Sequence, residues 1–144
     1  RIDVIATDHA PHTIEEKQLP YLKAPSGGPL VQHSIIAMLE FYKQQKITLE
    51  MIVRKMSHNV ADLFRIEKRG YIREGYFADL VLVDLNKPTE VTKVSLLYKC
   101  GWSPFEGYTF SSSINKTFVN GHLVYDNGTF DESKKGERMS FKRD

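Results

Sequence analysis

The run Ile5-Ala6-Thr7-Asp8-His9-Ala10-Pro11-His12 ends an apolar stretch in a carboxylate and two imidazoles. Aspartate and histidine ligate metals and move protons near neutral pH, so this segment carries the means for hydrolytic chemistry. Val4, Ile5 and Ala6 read as the end of a buried strand, and Pro11 cannot continue a sheet ladder. Asp8 and His12 are therefore expected at the carboxyl edge of that strand, which in barrel enzymes is the active-site face. The bland readings stand beside the chemical ones: Asp8 as the cap of a following turn, His12 as a solvent-facing loop histidine. His9 alternates to the other side of the strand and reads as packing, or as support for a neighbour that does the chemistry.

The elements that must position these residues follow in order. Residues 13–29 are polar, carry Pro20, Pro25, Pro29 and the Gly27-Gly28 pair, and read as a long structureless loop of the kind that covers an active site. From Leu30, the apolar positions Val31, Ile35, Met38, Leu39 and Tyr42 recur at helical steps, and Gln44-Gln45-Lys46 ends that helix. Thr48 is placed to cap a second helix carrying Leu49, Ile52, Val53 and Met56. His58-Asn59 is expected to interrupt it, with Asn59 capping a third helix that holds Val60, Leu63 and Phe64. Beyond Gly70 the pattern turns strand-like at Ile72, at Ala78, Leu80 and Leu82, at Ile114, Phe118 and Val119, and at Leu123, Val124 and Tyr125. Asn120-Gly121 between two of these runs predicts a type I′ hairpin.

Composition sets the broad class. The 144 residues are 41% hydrophobic and 26% charged, which fits a soluble globular protein, and no apolar run approaches membrane-spanning length. A net charge of +2, with both signs interspersed, gives no reason to expect nucleic acid or a membrane surface as partner. The charged stretch 131–144 reads as a solvated tail. Cys100 is the single cysteine, which excludes an intrachain disulfide and favours a reducing, cytoplasmic setting.

Asp8-x-Ala10-Pro11-His12, followed after four residues by Lys17, resembles the second signature of the dihydroorotase family, in its bacterial and multifunctional-protein branch of the amidohydrolase superfamily. Ala24-Pro25-Ser26-Gly27 is similar to that family's substrate-covering loop, the run from Gly75 through Phe77-Ala78-Asp79 to Asp84 to a late strand of the superfamily, and Ser103-Pro104-Phe105-Glu106-Gly107 to its closing loop. The resemblance implies an α/β fold: residues 1–68 as the C-terminal part of a TIM-type (β/α) barrel, and residues 69–144 as the C-terminal part of a composite β-sandwich domain with a polar tail. The family's first signature, a His-x-His, is not found among His9, His12, His33, His58 and His122. With Arg1 opening the chain, the sequence reads as the C-terminal portion of a longer protein.

Function follows as an expectation from the same resemblance. The parent would be a zinc-dependent hydrolase of a cyclic amide, interconverting L-dihydroorotate and N-carbamoyl-L-aspartate in pyrimidine synthesis. Asp8 would be a ligand to one ion of a zinc pair and the proton carrier of the reaction. His12 would hold the substrate carboxylate, while the backbone at Ser26 and Gly27 would meet the substrate ring; the family more often has a bulky apolar residue where Ser26 stands. Lys17 is expected to anchor the loop by charge pairing. His33, His58 and His122 read as helix-face, helix-cap and strand-surface residues, and Cys100 and Trp102 as packing where the β-domain returns to the barrel. Implied partners are the small-molecule substrate, the N-terminal remainder of the parent and, through unpaired sheet edges, further copies of the protein. Two alternatives remain open: a hydantoinase- or allantoinase-like enzyme, against which His12 argues because such enzymes typically lack it, and a non-catalytic dihydroorotase-like assembly subunit.

Overall fold

The computed structural model describes residues 2–142. Arg1 and the last two residues of the tail lie outside the described residues. Four helices come first: α1 Ile14–Lys17, α2 Ser34–Lys43, α3 Leu49–Val53 and α4 Asn59–Leu63. The strands follow as β1 Leu80–Asp84, β2 Thr89–Glu90, β3 Thr109–Phe110, β4 Ser113–Val119, β5 His122–Asp126 and β6 Thr129–Phe130.

The opening strand expected at Val4, Ile5 and Ala6 is not formed. A barrel strand is held by ladders on its flanks, and among the described residues no neighbouring strand lies beside this run. Its one backbone tie is the Ile5 N–H to the Lys55 carbonyl at 3.1 Å; Val4 and Ile5 are half-buried and Ala6 is exposed. Residues 13–29 depart from the expectation in the other direction, since they contain α1. Thr13 Oγ1 accepts from the Glu16 N–H while Glu16 Oε2 accepts from the Thr13 N–H, a capping box that lets a helix as short as this one form.

The second helix is preceded by a 3₁₀ turn at Val31–His33. That tighter winding rotates the apolar stripe, so α2 buries Ile36 and Leu39 and leaves Val31 exposed. Thr48 caps α3 as expected, accepting from the Met51 N–H at 3.2 Å. Asn59 does not cap α4. A π-helical turn at Arg54–His58 carries α3 into α4 without a break, and the Asn59 side-chain amide instead donates to the Asp3 carbonyl. His58 is likewise no cap: its ring stacks on Tyr71, with centroids 4.2 Å apart.

The strand order is β1-β4-β5-β6, antiparallel throughout, with β2 and β3 forming a separate pair. Asn120 and Gly121 have φ of 51° and 78°, the pair of positive values that a type I′ turn demands. Asp79 secures this turn from outside the hairpin by accepting from the Asn120 N–H at 2.8 Å, and it is ion-paired to Arg69. Ile72 and Ala78, expected in strands, lie outside them, and both are exposed. At the sheet's edge β1 pairs with β4 alone among the described residues, and its Val81 and Leu82 are exposed. The tail is not simply solvated: the Glu67 N–H donates to the Ser140 carbonyl and the Lys142 N–H to the Arg65 carbonyl, both at 2.9 Å, giving the backbone beyond α4 partners it would otherwise lack.

Helices and strands meet in one apolar cluster, where Ile36 of α2 packs with Val91 and Phe110, flanked by Ile35, Leu96, Phe105 and Ile114. His33 is sunk into this junction at 3% exposure rather than lying on a helix surface, with Phe105, Phe110 and Tyr98 around its ring. Burial lowers its pKa below the ordinary histidine value, because a charged ring would lose its hydration. The unfolded chain therefore binds a proton more readily than the folded one. The His33 contribution to stability is full above about pH 6.5 and is lost as the pH falls from there towards the depressed folded value. Urea midpoints measured at pH 7.5 and 5.5 should show a smaller drop for His33→Asn than for the unaltered protein; an equal drop would assign the acid sensitivity elsewhere.

Candidate active site

The Asp8 segment and the loop of Ser26 and Gly27 are brought together by backbone. His9 and Gly28 form a parallel bridge, and the Ala10 N–H donates to the Gly28 carbonyl at 3.3 Å. Gly27 has φ of 99°, and a Cβ placed there would stand 2.6 Å from the Ala10 Cβ and 2.8 Å from its carbonyl oxygen. Only glycine permits this approach. The Ser26 side chain is exposed beside it.

His9 supports the site as packing, in keeping with its expected role. Its Nδ1 accepts from the backbone N–H groups of Leu30 and Val31 at 3.1 and 3.3 Å, and its ring lies against Tyr98. Acceptance at Nδ1 places the ring proton of the neutral form on Nε2. The loop is thereby fastened at its far end to the start of the 3₁₀ turn that leads into α2.

Lys17 anchors the loop, by a different contact from the one expected. Its ammonium donates to the carbonyls of Pro25 at 2.6 Å and Gly27 at 3.0 Å, not to a carboxylate. A lysine offers three donors and no acceptor, which suits it to gather carbonyls that a tight turn leaves without partners. His12 is fixed at two points: its carbonyl accepts from Trp102 Nε1 at 2.7 Å, and its ring Nδ1 lies 3.3 Å from Glu16 Oε2. The sequence reading assigned nothing to Glu16 and only packing to Trp102. The capping-box spacing from Thr13 to Glu16 was a signal available for Glu16; a contact across ninety residues, as for Trp102, leaves no local trace.

Asp8 is exposed, has φ of 46°, and its carboxylate has no hydrogen bond or ion pair among the described residues. It is not the cap of α1, a role Thr13 fills. As a free, hard oxygen donor it suits a zinc ion, but no group of three or more histidine, cysteine or carboxylate side chains able to hold a metal comes together among the described residues.

The amidohydrolase family model matches residues 2–124. The chain belongs to the amidohydrolase family. Within it, the chain is 40% identical over 131 residues to a dihydroorotase of Halobacterium salinarum, an overlap of 90% of this chain and 30% of that protein. It is 33% identical over 138 residues to a dihydroorotase of Pyrococcus horikoshii, covering 96% of this chain and 32% of the relative. In fold it matches the L-hydantoinase (dihydropyrimidinase) of Arthrobacter aurescens with a TM-score of 0.81 and 29% identity, over 90% of this chain and 30% of that one. This amidohydrolase chain thus has the α/β architecture of the C-terminal end of the barrel and its adjoining β-domain, and spans about a third of the length of the relatives it matches.

Lys17→Met keeps the aliphatic stem and removes the ammonium donors to Pro25 and Gly27. Amide hydrogen exchange across residues 24–30 should accelerate by on the order of five- to tenfold, the loss of roughly one hydrogen bond from a charged donor. Unchanged exchange would show that the backbone zipper holds the loop without the lysine.

Proposed function

We propose that the polypeptide carrying this chain is a zinc-dependent dihydroorotase of cytoplasmic pyrimidine biosynthesis, and that this chain is its C-terminal portion. The observation that carries the reading is His12, held by Glu16 and Trp102 on the same short segment as an unpartnered Asp8, with the Gly27 loop drawn against that segment. The identity to dihydroorotases supports the same substrate. In this reading residues 1–68 complete the barrel, residues 69–144 supply part of the β-domain, and the N-terminal remainder provides the other metal ligands. The β1 edge, paired on one side among the described residues, suits association with that remainder or with a further copy.

When bound, zinc supplies a Lewis acid and lowers the pKa of water, so that hydroxide is available near neutral pH. The rest of the chemistry is assigned to this chain's own groups. Asp8 takes the proton of the attacking water as the new carbon–oxygen bond forms at the ring amide carbonyl. It returns that proton to the ring nitrogen as the carbon–nitrogen bond breaks, so the ring opens with the elements of water added and nothing left over. His12 donates from its outward nitrogen to the substrate carboxylate, a charge-assisted contact when the ring carries both protons. The backbone at Ser26 and Gly27 offers fixed polar groups to the ring, and the missing Cβ at residue 27 permits the loop to lie this close.

The hydantoinase-like fold match makes a substrate panel the deciding comparison. The intact protein should hydrolyse dihydroorotate in preference to hydantoins, which have no carboxylate for His12; the reverse preference would overturn the assignment. Asp8→Asn keeps the shape and abolishes the proton acceptor, so turnover should fall by on the order of 10²–10⁴ with the fold intact. Wild-type turnover in that variant would remove Asp8 from the mechanism. His12→Ala should raise KM for dihydroorotate by about tenfold, the value of one charged hydrogen bond, with metal content by elemental analysis unchanged.

A further inference from the structure

Glu16 lies with its Oε2 at 2.9 Å from the Thr13 N–H and at 3.3 Å from His12 Nδ1. The first contact belongs to the capping box and asks only for an acceptor, which glutamine supplies equally well. The second asks for charge. We infer that Glu16 is a positioning residue that selects for anionic substrates, a conclusion resting on the carboxylate-binding role proposed for His12.

The geometry allows one productive arrangement. His12 lies just before the Thr13 cap, and the capping box folds Glu16 back over Thr13 so that its carboxylate comes beside the His12 ring. With Nδ1 turned to Glu16, Nε2 is the nitrogen left for a ligand. A ring whose Nδ1 lies against Glu16 keeps Nε2 for a substrate carboxylate, and the Glu16 charge holds the ring in that orientation. The same carboxylate would repel an anionic substrate if His12 did not stand between them. Glu16 therefore helps binding while His12 is present and hinders it once His12 is gone. Its backbone is not free to move away, because the capping box fixes it at the first turn of α1 and the adjacent Lys17 is tied to the loop.

This sign reversal separates positioning from a structural part in the helix. The test is a cycle of Glu16→Gln, His12→Ala and the double variant in the intact protein, with KM and kcat measured on dihydroorotate and on an uncharged hydantoin. Glutamine preserves the cap, and thermal melts of the variants confirm that the fold is kept. Glu16→Gln alone should raise KM for dihydroorotate about three- to fivefold, the scale of a partly exposed ion pair, and affect KM more than kcat. Added to His12→Ala, it should lower KM by about two- to threefold, and KM for the hydantoin should not respond in either background. A rise of the same size in both backgrounds, or no KM change in either, would overturn the role of Glu16 while leaving that of His12 standing. No KM change in His12→Ala itself would instead overturn the carboxylate-binding reading, and the inference about Glu16 with it.

Discussion

The approach of Gly27 to Ala10, closer than any side chain on residue 27 would permit, ties the Asp8 segment to the loop that follows, and every other contact of the site is arranged around that tie. The bridge between His9 and Gly28 sets the register. Lys17 then collects the carbonyls of Pro25 and Gly27, which the turn leaves pointing away from any ladder. Two segments that carry little apolar surface are thus held by backbone hydrogen bonds and one ammonium. Such contacts are directional, so they fix where groups point more firmly than burial could, and a site that reads a small polar ligand needs orientation above all.

The site also depends on residues far along the chain. Trp102 takes the His12 carbonyl, Tyr98 packs on His9, and the Tyr98 hydroxyl accepts from the Gln32 N–H at 2.9 Å. Tyr98 in turn packs on His33, which is buried against Phe105 and Phe110 at the apolar junction where Ile36, Val91 and Phe110 meet. The strand-rich part of the chain therefore forms a wall against which the Asp8 segment and its loop lie.

Local signals were legible in the sequence where chemistry is local. Thr48 as a cap, Asn120-Gly121 as a turn, and the strand runs at Leu80 and Ile114 could all be read from side-chain type and spacing, whereas the pairing of the Asp8 segment with the 24–27 loop followed from the family resemblance. The failures have physical causes of two kinds. Val4 and Ile5 have strand-forming side chains, but a strand is a property of pairs and none of the described residues supplies the partner. Asn59 looked like a cap because its side chain competes for backbone groups, whereas a π turn absorbed the extra residue and left the amide for Asp3. His33 and Glu16 were misjudged or passed over because burial by distant aromatics and pairing to a neighbour's ring depend on the three-dimensional path, not on the residue's own type.

Asp8 shows how such a chain balances stability against use. Its left-handed φ is one that aspartate tolerates better than most residues, yet it still costs on the order of 1 kcal/mol, and its carboxylate gains no hydrogen bond in return among the described residues. If the residue served the fold, glycine would hold this backbone with less strain, or a cap would put the oxygen atoms to work. Neither is the case here. The capping duty has passed to Thr13 five residues on, the glycine to position 27, and Asp8, one of several non-glycine residues with positive φ, keeps two oxygen atoms free of any partner among the described residues. The contacts of Ile5 before it and of His9 and Ala10 after it account for how the strain is borne, since each fixes backbone on one side of Asp8 without touching its side chain. A conformation held by its neighbours while its carboxylate stays unpartnered suits a residue kept for a ligand, and it supports the role proposed for Asp8.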